Sequence, residues 1–369
     1  MQEYQNNLLE YLEDDENPDY NFETLTNICD ENNYYYNKFK LKSFLHLLIK
    51  IIDNHYRNPN FFIKIFRILN YYKTQISEFF SNFEIFDIFK SNKRILLYLI
   101  EENLMKIDDY ILHKMTERQF LNAKYPQYFA PEIKQLLKNE FLKKYQFYNW
   151  TRKDWFDEIS KDIPEGFYEK RKNGENDNYL CYLIRGDMIK DFIVYFNKTN
   201  YKLSSYIESS IFETNSFLLM NKKITLIEYA VFFGSIQIIN FLQNNSIELN
   251  QSIWIYAVHG KNAEFIHQLE YNYADFKDKS NRQCLIESIK CHHNEFANYF
   301  KNNCLSINED ILNDILTQSL KYYNFEFIEN DLINKSCLYE LCKYDHIFLV
   351  DFFFGKEKID INKIMVFNQ

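Results

Sequence analysis

The chain has 369 residues, 46% of them hydrophobic, and a formal net charge of -9. One hydrophobic core rarely serves a chain this long, so we expect two domains or an elongated repeat array. Only 6 Gly and 5 Pro are present, which argues against an all-β fold with many tight turns. The acidic balance argues against nucleic-acid binding, which needs a cationic face.

The acidic residues concentrate at the start of the chain. Residues 1–40 hold ten acidic side chains and two basic ones, so this stretch carries nearly all of the net charge. We interpret it as the solvated face of helices. As an alternative, these acidic helices recruit another protein.

Apolar residues at helical spacing run through the first half. Those between Leu41 and Ile52 predict one helix, and Pro59 suits the first turn of the next. Ser91 is a good N-cap for a third helix, and Pro131 opens another. Elements of this length joined by short connections predict antiparallel helical hairpins.

The distribution of proline suggests a domain boundary. All five prolines lie in the first 164 residues, and a polar stretch over 169–178 follows. We therefore predict an N-terminal helical domain over residues 1–164 and a second domain over residues 165–369.

The second half contains internal similarity. Residues 225–242 and 252–269 each combine a short helix that contains a small residue, a turn and a second apolar helix. Weaker copies follow at 285–300 and 336–353. One such unit cannot bury its apolar face alone, so neighbouring units must stack. The small residues recur at intervals of 27 and 31 residues, at Ala230, Ala257 and Ser288.

These units resemble the ankyrin repeat, most closely over 225–250. Thr225 takes the place of the motif's capping threonine, Ala230 its alanine and Gly234 its turn glycine. The likeness spans about residues 178–362. More specifically, the chain is similar to large protist families in which an uncharacterised helical N-terminal region precedes divergent ankyrin repeats. The resemblance implies an all-α fold with N-terminal helical hairpins followed by an ankyrin-like α-solenoid.

The sequence also departs from the ankyrin motif. Leu226 and Ile253 stand where the motif has proline, and the 27-residue interval is shorter than the usual 33 or so. The missing residues fall between Leu242 and Ser252, where the projecting hairpin would lie. We therefore expect short or absent fingers at that junction.

The resemblance also implies where a partner would bind. The first helices of the units and the turns before them line a concave surface in ankyrin repeats. For Trp254 we favour packing between repeats, with an exposed partner anchor as the alternative. The candidate partner-binding residues are Lys223, Gln251, Trp254, Lys261, Asn262, His292 and His293. The candidate structural repeat positions are Thr225, Ala230, Gly234, Ala257 and Ser288.

The cysteines do not indicate a metal site or a nucleophile. Their spacing with the histidines of 284–304 fits no zinc site, and those of 337–346 lack a base and an orienting group. We interpret the first set as a buried thiol beside two turn histidines and the second as core positions, and we expect no metal, no cofactor and no enzymatic activity. The two sets are Cys284, Cys291, His292, His293 and Cys304, and Cys337, Cys342 and His346.

The cysteines and the first residues of the chain indicate where the protein is located. The seven cysteines are scattered, and the first residues do not resemble a signal peptide, so we expect the reducing cytoplasm. The most apolar run, 44–52, is too short to span a membrane.

The sequence thus predicts a scaffold that binds a partner protein through helical repeats. The alternative is an adaptor whose N-terminal helices recruit an enzyme while its repeats select the target. Partner identity and oligomeric state stay open.

Overall fold

The computed structural model describes residues 1–31, 36–136, 161–199, 201–221, 223–272, 277–328, 337–347 and 349–350. Over these residues the secondary structure is helical, apart from one isolated antiparallel β-bridge between Tyr206 and Thr225. The all-α class is confirmed for this part of the chain, whereas the solenoid arrangement stays a prediction. No helix within the described ranges has the length and apolarity needed to cross a membrane.

We number the helices α1 to α23 in chain order. Besides these α-helices, there is a π-helical turn at Phe300–Cys304 and a 3-10 turn at Phe325–Phe327. The α-helices are α1 Gln2–Glu13, α2 Pro18–Glu31, α3 Lys38–Asn54, α4 Phe61–Tyr71, α5 Lys73–Phe79, α6 Asn82–Phe89, α7 Lys93–Glu101, α8 Asp109–Met115, α9 Arg118–Asn122, α10 Tyr125–Tyr128, α11 Ala130–Leu136, α12 Phe167–Asn173, α13 Tyr179–Arg185, α14 Ile189–Lys198, α15 Ser216–Met220, α16 Leu226–Phe233, α17 Ile236–Asn244, α18 Ile253–His259, α19 Ala263–Asn272, α20 Lys277–Lys290, α21 Asn294–Tyr299, α22 Glu309–Tyr322 and α23 Leu338–Lys343.

Side-chain caps fix several helix starts. The side chains of Ser81 and Thr225 each accept a hydrogen bond from the backbone N–H of the glutamate three residues later. The carboxylate of that glutamate accepts a hydrogen bond from the backbone N–H of the capping residue, and the two bonds together form a capping box. Asn92, rather than the predicted Ser91, caps α7. Its Oδ1 accepts from the next-turn amides at 3.1 and 3.3 Å, and asparagine caps a helix as well as serine does.

The same backbone turn closes many of the helices. At the end of α16, Gly234 adopts a left-handed conformation with φ 68°, and the Ser235 N–H donates to the Ala230 carbonyl at 2.9 Å. This bond from one residue to the fifth before it defines a Schellman turn and satisfies a carbonyl that the helix leaves open. Equivalent turns end α13, α18, α20, α22 and α23, with left-handed residues Asp187, Lys261, His292, Tyr323 and Asp345.

The small residues noted in the sequence lie inside these turns. Ala230, Ala257 and Ser288 are fully buried, and their carbonyls accept the closing hydrogen bond of the turn. Ser319 has the same role at the end of α22, within a stretch where the sequence pattern is faint. The closing bond joins backbone atoms, so it survives where the side-chain pattern has diverged.

By its contacts the described chain divides into two compact units. Unit 1 comprises 1–51, 57–64 and the described residues from 277 onward, and unit 2 comprises 52–56 and 65–272. In unit 2 the first helices of successive pairs contact one another, α13 with α16 and α16 with α18, and the second helices α14 and α17 also contact each other.

The division at 164/165 predicted from the prolines differs from this division. Both sides of that position belong to unit 2, because Arg171 packs on the helices before it. Its Nη1 lies 2.8 Å from Glu132 Oε2, and the Tyr128 hydroxyl donates to the Arg171 carbonyl at 2.9 Å. The guanidinium is buried, and a buried charge needs this kind of partner.

Unit 1 joins the two ends of the chain. Gln5, on α1, is fully buried, and its Nε2 donates to Asn324 Oδ1 at 3.0 Å while its Oε1 accepts from the Phe325 N–H at 2.7 Å. Asn324 also donates to the Ile289 carbonyl at 2.9 Å. The first helix therefore belongs with the C-terminal helices, which the sequence did not predict.

The acidic start of the chain takes part in this unit. Lys64 is buried, and its Nζ donates to the Asp14 carbonyl at 2.8 Å and to Asp15 Oδ1 at 2.5 Å. The pKa of Asp15 is lowered, mainly by this hydrogen bond. Some of the acidic residues thus stabilise helix ends.

Candidate functional site: a groove where two repeat helices begin

A groove lies in unit 2 where α16 and α18 begin. Its volume is about 360 Å³, which is within the range of ligand-binding clefts. We call it the repeat groove. It is lined by Tyr206, Phe217, Asn221, Lys223, Thr225, Glu228, Asn250, Ser252, Ile255 and Tyr256.

The floor of the repeat groove is aromatic. The rings of Phe217 and Tyr256 meet edge to face with centroids 4.9 Å apart, and both side chains are almost fully buried. Burial raises the pKa of Tyr256, and the nearby Glu228 carboxylate adds to the effect. The two rings together give the groove an apolar floor.

The rim of the groove is polar and exposed. It carries the side chains of Tyr206, Asn221, Lys223 and Asn250, and the Lys223 Nζ lies 5.8 Å from the centre of the Tyr206 ring. A cation at this distance is attracted to the ring face. The contact keeps the ammonium and the aromatic ring side by side on one edge.

Glu228 connects the two repeat units beneath the rim. Its Oε2 accepts hydrogen bonds from the Thr225 N–H and hydroxyl, each at 2.8 Å, and its Oε1 accepts from the Ser252 hydroxyl. The carboxylate is only 4% exposed, so these donors replace water. The residue that completes the capping box of α16 thus also holds the start of α18.

The backbone beside the groove is extended. Tyr206 and Thr225 form the isolated β-bridge, and the Ile207 N–H donates to the Ile224 carbonyl at 2.7 Å.

Between Leu242 and Ser252, where we expected short or absent fingers, the Ile247 N–H donates a hydrogen bond to the Leu242 carbonyl at 3.3 Å and closes a turn.

The structure places only part of the predicted binding set at the groove. Lys223 is exposed and lines it, and Gln251 is half-buried between two lining residues. Lys261 and Asn262 are half-buried in the turn after α18 and do not line it.

Three residues of the candidate partner-binding set are buried. Trp254, His292 and His293 are each 2% exposed. For the two histidines this corrects their placement on an accessible face. For Trp254, on α18, burial is what the favoured packing interpretation expects, and it excludes the alternative of an exposed partner anchor. His292 is the left-handed residue of its turn, and its Nε2 lies 3.4 Å from the Tyr323 carbonyl, because α22 packs against α20.

The cysteine–histidine sets are mostly core positions. Burial raises the pKa of the Cys291 thiol well above its usual value. Burial also lowers the pKa of His346 to about 4, and its Nε2 lies 2.6 Å from the Leu320 carbonyl. Cys342 differs from the prediction, because it is exposed on α23, and Cys304 is half-buried. The absence of a metal stays a prediction.

Lys93 is a buried residue that sequence reasoning missed. Its Nζ donates to the Ala123 carbonyl at 3.0 Å and to the Ile211 carbonyl at 2.9 Å, and it lies 5.1 Å from the centre of the Tyr128 ring. Burial lowers the pKa of this lysine to about 7. Lysine usually lies on the surface, so neither composition nor spacing identifies it.

The segments that Lys93 joins border a second cavity. This cavity has a volume of about 310 Å³, and it shares Asn221 with the repeat groove. Its charged lining residues are Lys124, Glu208 and Glu213.

We expect Lys93 to make the stability of the protein depend on pH. Its folded-state pKa of about 7 lies below the unfolded value of 10.5, so folding favours the neutral amine. The contribution of the neutral amine to stability is fully present above the unfolded-state pKa of 10.5, and it is lost as the pH falls to the folded-state pKa of about 7. The free energy of unfolding of wild type minus that of Lys93→Met should therefore rise by several kcal/mol between pH 7 and pH 10.5. Urea titrations across that range measure it, and a flat difference would contradict the buried position of Lys93.

No protein-family model matches the chain, and neither a curated protein nor a solved structure matches it significantly. The resemblance to ankyrin repeats therefore rests on the residues quoted for it and stays a prediction.

Proposed function

We propose that the chain is a cytoplasmic scaffold that binds a partner protein and holds a segment of that partner in the repeat groove. The observation that carries the proposal is the groove itself, with an aromatic floor and a polar, cationic rim. The finer architecture, an ankyrin-like α-solenoid, belongs to the same proposal. The contacts of α16 with α13 and α18, and of α17 with α14, support it.

The side chains of the groove favour binding over catalysis. Neither histidine nor cysteine occurs among its described lining residues, and the Glu228 carboxylate is occupied by Thr225 and Ser252. A general base needs an oxygen or nitrogen within reach of a substrate proton. Tyrosine at a rim and a buried aromatic floor are instead the features that dominate binding energy at protein interfaces.

A charge reversal at the rim tests the proposal. We expect Lys223→Glu to reduce capture of the principal partner at least tenfold, because the exposed ammonium becomes a carboxylate beside the aromatic floor. Affinity capture from cell extract with quantitative mass spectrometry measures it. Lys190→Glu is the matched control, since Lys190 is exposed on α14 of the same unit and is not a lining residue.

Both variants should melt like wild type, because each replaced side chain is exposed. A partner captured equally by wild type, Lys223→Glu and Lys190→Glu would place binding outside the groove and contradict the proposal.

A further inference from the structure

The positive charge of the repeat groove lies at its exposed rim. Among the lining residues that the structure describes, Lys223 and Glu228 carry a charge. Lys223 is exposed at the rim, whereas Glu228 is 4% exposed. The Glu228 carboxylate also neutralises the positive end of α16, which it caps. Of these two charges, the accessible one is therefore the Lys223 ammonium.

The rim suits an extended backbone. The Asn221 and Asn250 side chains are exposed on the rim; the Asn221 Nδ2 donates to the Phe217 carbonyl at 2.8 Å, and the Asn250 Oδ1 accepts from the Ser252 N–H at 3.1 Å. The Asn221 Oδ1 therefore offers an acceptor, and the Asn250 Nδ2 offers donors, to the unpaired N–H and C=O groups of an extended segment. Its apolar side chains would reach the Phe217–Tyr256 floor.

We propose that the partner segment is extended and acidic, with an aspartate or glutamate that pairs with Lys223. This inference rests on the proposed function and names the chemistry of the partner at the same groove. The pairing is exposed, so added salt weakens it, and a carboxylate in place of the ammonium turns the attraction into repulsion. Apolar side chains on the floor supply the remaining binding energy.

Selection from a random peptide library displayed on phage tests this chemistry. The full chain is immobilised, and binders are kept only if Tyr206→Ala or Ile255→Ala weakens them, since both residues line the groove. Among these groove-dependent peptides we expect aspartate and glutamate to be enriched several-fold over the unselected library. The same selection on Lys223→Glu should lose that enrichment and favour lysine and arginine.

The outcomes separate the two proposals. Absence of any groove-dependent peptide would contradict the proposed function and this inference together. Groove-dependent peptides without acidic enrichment, or with equal enrichment on Lys223→Glu, would overturn this inference and leave the proposed function standing. Binding of the selected acidic peptides should weaken about tenfold or more when Lys223 is reversed, while Lys190→Glu leaves it unchanged.

Discussion

Gly260→Ala is expected to lower the free energy of unfolding by about 1–3 kcal/mol or more, the usual cost of overpacking. A Cβ at Gly260 would lie 2.2 Å from the Phe232 carbonyl oxygen and 2.9 Å from its carbonyl carbon. These are backbone atoms of α16, so no side-chain rotation relieves the clash. The start of the turn after α18 would have to move away from α16. Urea titration of the variant measures the loss.

Gly186→Ala is the matched control for this substitution. Gly186 and Gly260 both follow the last residue of a helix, with φ of -86° and -77°, and each precedes the left-handed residue of its turn. At Gly186 the three atoms nearest the added Cβ belong to the flexible Met188 side chain, the closest being its Cε at 2.9 Å. We expect a change within about 1 kcal/mol, of either sign. Equal losses at the two sites would contradict the close approach of α16 and α18.

Asn324→Leu is expected to destabilise unit 1 by about 3 kcal/mol or more. The substitution removes the acceptor of the Gln5 Nε2 and the donor to the Ile289 carbonyl, and Gln5 and Asn324 are both fully buried. Each buried polar group left without a partner costs about 1–3 kcal/mol. Denaturant titration of the purified variant gives the value.

A double-mutant cycle is the control for this prediction. When Gln5→Leu is added to Asn324→Leu, the direct pair is replaced by two apolar side chains, so the second substitution should cost clearly less than it does in wild type. Additive losses within about 0.5 kcal/mol would show that the two side chains do not interact, and the docking of α1 in unit 1 would be wrong.

Local features of the fold were readable from the sequence. The side-chain cap at Thr225 and the left-handed turn at Gly234 each depend on residues within about one helix turn. The small side chain of Ala230 indicated the close packing in which it is buried. The cap of α7 was misplaced by one residue because serine and asparagine stand side by side and both make good caps.

Long-range features were not readable. The Gln5–Asn324 pair joins residues 319 positions apart, and no periodicity encodes such a contact. The ion pair of Arg171 with Glu132 joins residues on the two sides of position 164, near which the prolines indicate a boundary, and that boundary stays a prediction. Lys93 was missed because its burial depends on carbonyls of two distant segments.

The candidate site was predictable only in part. Lys223, which ankyrin geometry places before a first helix on the expected binding face, lines the repeat groove. His292 and His293 were expected on the same face but are buried, because that geometry does not fix what covers each turn. The aromatic floor residue Phe217 lies on α15, outside the repeat pattern, so no repeat alignment would include it.

Hydrogen exchange of the chain alone and in complex with its captured partner tests the central claim most directly. We predict that the partner slows exchange of backbone amides in residues 217–228 and 250–256, which surround the repeat groove, and leaves those of α19 and α22 unchanged. Protection confined to other helices, with the amides of the groove exchanging as fast as in the free protein, would contradict the account.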